Sequence, residues 1–205
     1  MKYILLILVF YQATLFGQDT ILFLSGECLP VKSWEIDKKE NIISYTTLKG
    51  KEKEAELDFI FSVISEDNSE TIIFEESFIE QHLFEVEQMR SFVMGARQAH
   101  LRYNTTWPSV AAFSVGAGSV VALSFTPIPL FYSPLIPALY TGIYGTINPS
   151  EKRIIKKNPE HGHNLYFVKG YKEVAKQKRT NNSVKGAICG LGAMFITAII
   201  ISIAN

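Results

Sequence analysis

The stretch WPSVAAFSVGAGSVVALSF, residues Trp107 to Phe125, decides how the rest of this chain is read. It is 19 residues long and uncharged. As a helix rising ~1.5 Å per residue it matches a hydrocarbon core of ~30 Å. The pattern extends outward, because Tyr103 to Ser150 is 48 residues without one Asp, Glu, Lys or Arg. Thr126 to Ile147 is apolar but carries Pro127, Pro129, Pro134 and Pro137. Proline removes a helix donor and clashes with the preceding turn, so a straight helix through this part is not expected. Residues 107–147 therefore read as a membrane hairpin or a re-entrant segment. Gly186 to Ala204 (GAICGLGAMFITAIIISIA) is the cleanest spanning helix, and residues 186–205 are assigned as a C-terminal transmembrane helix.

Small residues recur four apart in these segments: Ala112 with Gly116, Gly118 with Ala122, Gly186 with Gly190. In lipid, association is driven by close packing rather than by hydrophobicity, and small residues let backbones touch. All six are expected to pack helices on one another or on a second copy of the chain.

Composition agrees. Of 205 residues 47 % are hydrophobic and only 20 % charged, which excludes a disordered chain and disfavours a small soluble enzyme. Two cysteines cannot build a disulfide scaffold or a four-cysteine zinc site. Lys and Arg balance Asp and Glu at 20 each, but not locally. Asp19 to Glu76 holds 14 acidic residues against 6 lysines, net −8, whereas Glu151 to Lys185 holds 10 basic against 3 acidic, net +7. At the N-terminus, Lys2 and the apolar run Tyr3 to Phe10 read as a secretory signal over residues 1–17, cut after Gly17, with an uncleaved anchor as the alternative. No cysteine stands at the cut to take a lipid anchor.

Residues 18–76 read as a small β domain. Strands are expected at Thr20–Leu24, Leu29–Ile36, Asn41–Thr47, Glu52–Leu57, Phe59–Ser65 and Thr71–Phe74, with polar turns between them. Their near-regular spacing predicts an antiparallel meander or partly closed barrel. Trp34, Ile43, Tyr45, Phe61 and Ile72 are expected to share its core. Residues 77–106 read as an amphipathic connecting helix, on the three- and four-residue recurrence of Ile79, Leu83, Val86, Met89 or Arg90, Val93 and Ala96. Ser77 and Glu80 would form its capping box. The fold class is thus an α+β membrane protein.

Residues 148–185 form a basic loop and helix. Lys172, Lys176, Lys178 and Arg179 are the expected lipid-headgroup contacts, since juxtamembrane cations are drawn to anionic headgroups. Nucleic-acid binding is not expected, for want of interleaved aromatic or glycine residues. His161 and His163 could share a metal ion, but a complete site needs three or four ligands. The remaining candidates, Glu160, His82 and His100, stand at no recognised spacing. No Gly-x-Ser-x-Gly elbow is present, Cys28 has no nearby histidine in sequence, and Cys189 lies in an apolar helix. No enzyme activity, metal or cofactor is expected.

With the chain divided this way it resembles a family of Bacteroidetes envelope membrane proteins. The pieces carrying the resemblance are QDTILFLSGE, VKSWEI, NIISY, SVISEDNSETIIFE, GARQA, SPLIPAL and LYFVKGYKEVAKQKR. It departs from that pattern at Asn68-Ser69, where the family often has Asn-Gly, and in having only Tyr103 before the first span. The resemblance implies a signal, a small β domain and Gly/Ala-rich membrane helices, and implies no catalytic residue. Function is accordingly expected to be non-enzymatic: a β interaction module on the periplasmic side of the bacterial inner membrane, held by a helical anchor. Its partners would be the lipid bilayer and either itself or another envelope protein. The alternative is a small membrane component of a transport or channel assembly, suggested by the proline-broken middle segment.

Two rules conflict over topology. The positive-inside rule and the prolines favour a re-entrant second element, which would leave the loop from Asn148 to Lys185 in the cytoplasm. A faint repeat argues otherwise. Gly95–Ala99 and Gly170–Ala175 each precede a Ser-Val pair (Ser109-Val110, Ser183-Val184) opening a small-residue helix. Two same-direction repeats would put both helix starts on one side.

Overall fold

The structure is a computed structural model that describes residues 18–75, 77–79 and 82–204. The expected signal at 1–17 lies outside the described residues. The chain divides into two compact units, with the boundary between Arg97 and Gln98.

In the first unit six strands form one open antiparallel sheet. They are β1 Thr20–Phe23, β2 Cys28–Asp37, β3 Ile42–Thr47, β4 Glu52–Glu56, β5 Ile60–Ile64 and β6 Glu70–Ile72. Their order is β4-β3-β2-β1-β5-β6. After β4, a 3-10 turn at Leu57–Phe59 sends the chain to the far side of β1, and a barrel does not close. Three of the hairpins use the same turn, in which a three-residue loop ends in a left-handed residue: Gly26, Gly50 or Asn68. This loop fits the twist of antiparallel strands, and glycine or asparagine is what its last position tolerates.

One face buries Ile21, Val31, Ile43, Tyr45, Ile60 and Val63, with Trp34 packed at its margin. Trp34 stands opposite Tyr45, and its indole Nε1 donates to Asp19 Oδ2 at 3.0 Å. Phe61 does not join this core. The pairing of β1 with β5 shifts between Leu22/Ser62 and Phe23/Ile60, leaving Phe61 as an extra residue. Such a bulge puts its two residues on one side, so Ile60 and Val63 share a face although three apart. Phe61 and Ser62 turn the other way. Phe61 meets Phe74 with ring centroids 6.2 Å apart. Ile72, also expected in the core, is 43 % exposed. It sits on a three-residue edge strand with only one neighbour to cover it.

The expected helix from Ser77 is corrected. Ser77–Ile79 and His82–Phe84 pair as a short hairpin, β7 and β8, and helix α1 runs only over Val86–Arg102. The run holds Phe78, Ile79 and Phe84, types that favour strands, and its apolar spacing fits either period. The helix start is instead at Glu85, whose N–H is reached by the Gln88 Oε1 at 3.4 Å. This is the back half of a capping box. Met89, Val93 and Ala96 form the buried stripe of α1. Arg90 lies over the Phe61 ring at 5.4 Å and pairs with Glu70 at 2.6 Å. The β1–β2 turn is pressed so close to Ala96 and Arg97 that a Cβ on Gly26 would overlap them.

The second unit is helical: α2 Thr106–Ser124, a 3-10 turn Leu130–Tyr132, α3 Leu135–Thr146, α4 Glu151–Lys157 and α5 Leu165–Ala204. Among the described residues, α2 alone passes as long and apolar enough to cross a bilayer. The basic segment and the apolar C-terminal segment are one continuous helix of 40 residues. The prolines sit where helices tolerate them. Pro127 and Pro129 lie in the connection, Pro134 is the residue before α3, and Pro108 and Pro137 fall in first turns, where the N–H has no intrahelical acceptor.

The seam between α2 and α5 fixes their direction. Thr105 meets Asn182, Ser109 meets Gly186 and Phe113 meets Gly190, a step of four on both sides. The two helices therefore run parallel. Helix α3 ends with Tyr144 on Arg179 and Gly145 on Thr180, level with the start of α2, so it returns the chain to that end. Of the two alternatives for residues 107–147, hairpin or re-entrant segment, this return has the form of the hairpin. The prolines start the returning helix rather than break it.

Candidate functional site

Two features of the helical unit carry its chemistry: the glycine seam and a basic pocket at the end where α2 and α5 begin. In the seam, a Cβ on Gly116 would overlap the Ala187 carbonyl, one on Gly186 the Ser109 carbonyl, and one on Gly190 the Phe113 carbonyl. Ala112 is fully buried on the same stripe of α2. Gly118 and Ala122, read from sequence as a second packing pair, are elsewhere. Gly118 faces open space and Ala122 is exposed. The reason is angular: at ~100° per residue, Gly118 lies about 200° round the helix from Gly116.

The basic end is built from α1, α4 and α5. Asn158 is buried where α4 ends, its Nδ2 donating to the Ile154 carbonyl at 3.0 Å and its Oδ1 accepting from Gln98 Nε2 at 3.1 Å. The loop back to α5 can pass this close because Gly162 has no side chain to strike Ile155 and Asn158. Lys178 places its ammonium on carbonyls at the end of α1, those of Ala99 and His100 at 3.3 and 2.8 Å, and on that of Tyr103 just beyond it at 3.3 Å. A cation at that position satisfies orphan acceptors and the negative end of the helix dipole together. Tyr171 packs edge-on against Tyr103 at 6.4 Å. Burial, then the neighbouring Tyr103, pushes the Tyr171 phenol up, with Arg102 opposing, so it stays protonated.

Of the four expected headgroup cations, three are engaged within the protein. Lys178 is held by α1, Lys172 pairs with Glu151, and Arg179 is 6 % exposed with its guanidinium 4.9 Å from the Tyr144 ring centre. Only Lys176 stands exposed on the helix surface. This engagement has one physical cause. Residues 165–185 continue the helix that packs on α2, α3 and α4, and a helix packed on several sides cannot present four successive cations to solvent.

Arg179 lines a cavity of about 630 Å³ with Trp107, Tyr144, Arg153 and Lys157 among its walls. Its Nε and Nη2 are buried and have no hydrogen-bond partner. Arg153 and Lys157 stand four apart on α4, and no Asp or Glu is among the residues lining the cavity. The i,i+4 spacing in EKRIIKK was readable in sequence, whereas its convergence with Arg179 and Tyr144 depends on the return of α3.

Elsewhere the chemistry is sparse. Burial pushes the Cys28 thiol up, against the pull of Arg97, so it is not poised as a nucleophile. His161 stacks on Phe167 at 5.4 Å. Among the described residues no three His, Cys, Asp or Glu side chains converge as a metal set. Compared with protein-family models, curated proteins and solved structures, the chain matches none.

Proposed function

We propose that this chain is a non-enzymatic membrane protein of the bacterial cell envelope, of the Bacteroidetes family it resembles. The helical unit is its anchor and the acidic β unit its interaction module. The observation that carries the reading is the seam of α2 on α5. Two uncharged segments meet backbone to backbone through glycines while their outer faces stay apolar. Phe113, Val121, Phe125, Ile188, Ile196, Ile199 and Ile200 are all exposed. Small residues inside and large apolar residues outside is the arrangement that lipid favours and water does not. Trp107, exposed in the first turn of α2, fits the interfacial level.

The signal reading puts residues 18–105 on the periplasmic side of the inner membrane, and parallel α2 and α5 then put residues 148–164 there too. This opposes the positive-inside rule. Lys172, Lys178 and Arg179 weaken the conflict, since each is engaged within the protein. The transport alternative rested on a helix broken inside the bilayer. With its prolines in first turns and connections, the middle segment offers no broken helix among the described residues. The β unit then serves to bind a second copy or another envelope protein.

The reading is tested by washing membranes from cells expressing the full chain with alkaline carbonate. The protein should stay in the pellet and leave only with detergent. Release by carbonate alone would contradict an integral anchor.

A further inference from the structure

The buried Arg179 is a cation without a counter-charge. Its Nε and Nη2 are buried with no acceptor among the described residues, and its guanidinium lies over the Tyr144 ring. Burying a charge is costly unless it is paired, and an aromatic face offsets only part of that cost. Among the described residues no carboxylate pairs with it. Glu151 is taken by Lys172, and the cavity that Arg179 lines has no carboxylate in its walls. Instead two further cations, Arg153 and Lys157, line the same cavity from α4. Three cations gathered without an anion, around about 630 Å³ of space, leave a site whose complement is missing.

We propose that this cavity binds a phosphate group, held by Arg179 with Arg153 and Lys157, and that the phosphate is that of an anionic ester. A tetrahedral oxyanion suits these donors: guanidinium groups give paired N–H bonds to two oxygens, and an ammonium adds a point charge. The Arg179 side chain already lines the cavity, beside the Tyr144 ring. The walls are not uniformly polar. Trp107, Pro108 and Val110, from the first turns of α2, give the cavity an apolar side where α2 begins. A phosphate ester with an apolar tail fits both parts, and inorganic phosphate fits only the first. The site itself does not depend on the membrane reading; only a lipid as the source of the phosphate does.

The test uses full-length protein, stripped of lipid in an uncharged detergent, with thermal unfolding followed as ligand is added. The probes are short-chain phosphatidic acid, short-chain phosphatidylcholine and inorganic phosphate. The expected result is a saturable rise in midpoint with phosphatidic acid, at least tenfold weaker with phosphatidylcholine. Arg179→Gln should weaken the response at least tenfold, as expected for loss of a charge-assisted pair. The double variant Arg153→Gln/Lys157→Gln, on exposed positions, should do likewise and is not expected to disturb folding. Arg179→Gln carries a second readout, since removing an uncompensated buried charge should leave the ligand-free protein at least as stable as wild type. An equal rise with inorganic phosphate keeps the oxyanion site and assigns it a soluble source, without bearing on the anchor. No saturable rise with any probe, or a rise untouched by both variants, overturns the proposal.

Discussion

Gly190 and Gly118 are both glycines in apolar helices, yet the structure gives them opposite expectations. A side chain on Gly190 would drive into the Phe113 carbonyl and the Ala117 amide, whereas one on Gly118 meets nothing within 4 Å. Gly190→Leu should therefore lower the unfolding midpoint in detergent, at a cost of about 1–3 kcal/mol for overpacking, or more because backbone must give way. Gly118→Leu should leave it nearly unchanged. Equal effects would mean that the α2–α5 seam is misplaced. Sequence spacing alone selected both glycines, because four-residue recurrence marks a stripe without saying which stripe is buried.

Glu70 supplies a pH-dependent test. Burial works to raise its pKa, but the Ser62 hydroxyl, donating to Oε1 at 2.6 Å, and then Arg90 outweigh it and hold the carboxyl below its ordinary 4.5. A depressed carboxylate pKa stabilises the fold above the unfolded value, and that stabilisation fades as pH falls through the folded value. Glu70→Gln should cost about 1 kcal/mol near neutral pH, the scale of a partly exposed pair. The gap between variant and wild type should close in acid, as pH falls through the depressed pKa of Glu70. A gap that persists there would show that Glu70 acts by packing rather than by charge.

At the scale of elements, the six strands of the first sheet were legible because each is a short run bounded by turn residues. The hairpin at Ser77–Phe84 was not, since Ile79, Leu83 and Val86 satisfy a helical spacing as well as two short strands. The position of Phe61 was likewise hidden. A bulge reverses the alternation after it, and no residue type announces that. The turns give a graded prediction. Gly26 and Gly50 both have positive φ, of 80° and 76°, but only Gly26 is pressed against α1. Gly50→Ala should cost about 1 kcal/mol, the backbone penalty alone. Gly26→Ala should cost clearly more, and equal losses in chemical denaturation would place α1 away from the β1–β2 turn.

For the whole molecule, uncharged segments and the segregation of charge were plain in the sequence, and the path between them was not. The four prolines pointed to a break, yet their positions within first turns and connections depend on where helices begin. The basic pocket was hidden for the same reason, since Arg179 and Tyr144 meet only when α3 returns the chain to the start of α2. That return is the central claim, and cysteine accessibility tests it most directly. In a chain carrying Cys28→Ser and Cys189→Ala, single cysteines are placed at Leu101, Lys156 and Phe125, all exposed positions. A reagent that cannot cross the inner membrane is added to cells whose outer membrane alone is permeabilised. Leu101→Cys and Lys156→Cys should label together, and Phe125→Cys only after the inner membrane is opened. Labelling of Lys156→Cys in step with Phe125→Cys, and apart from Leu101→Cys, would contradict the parallel arrangement of α2 and α5.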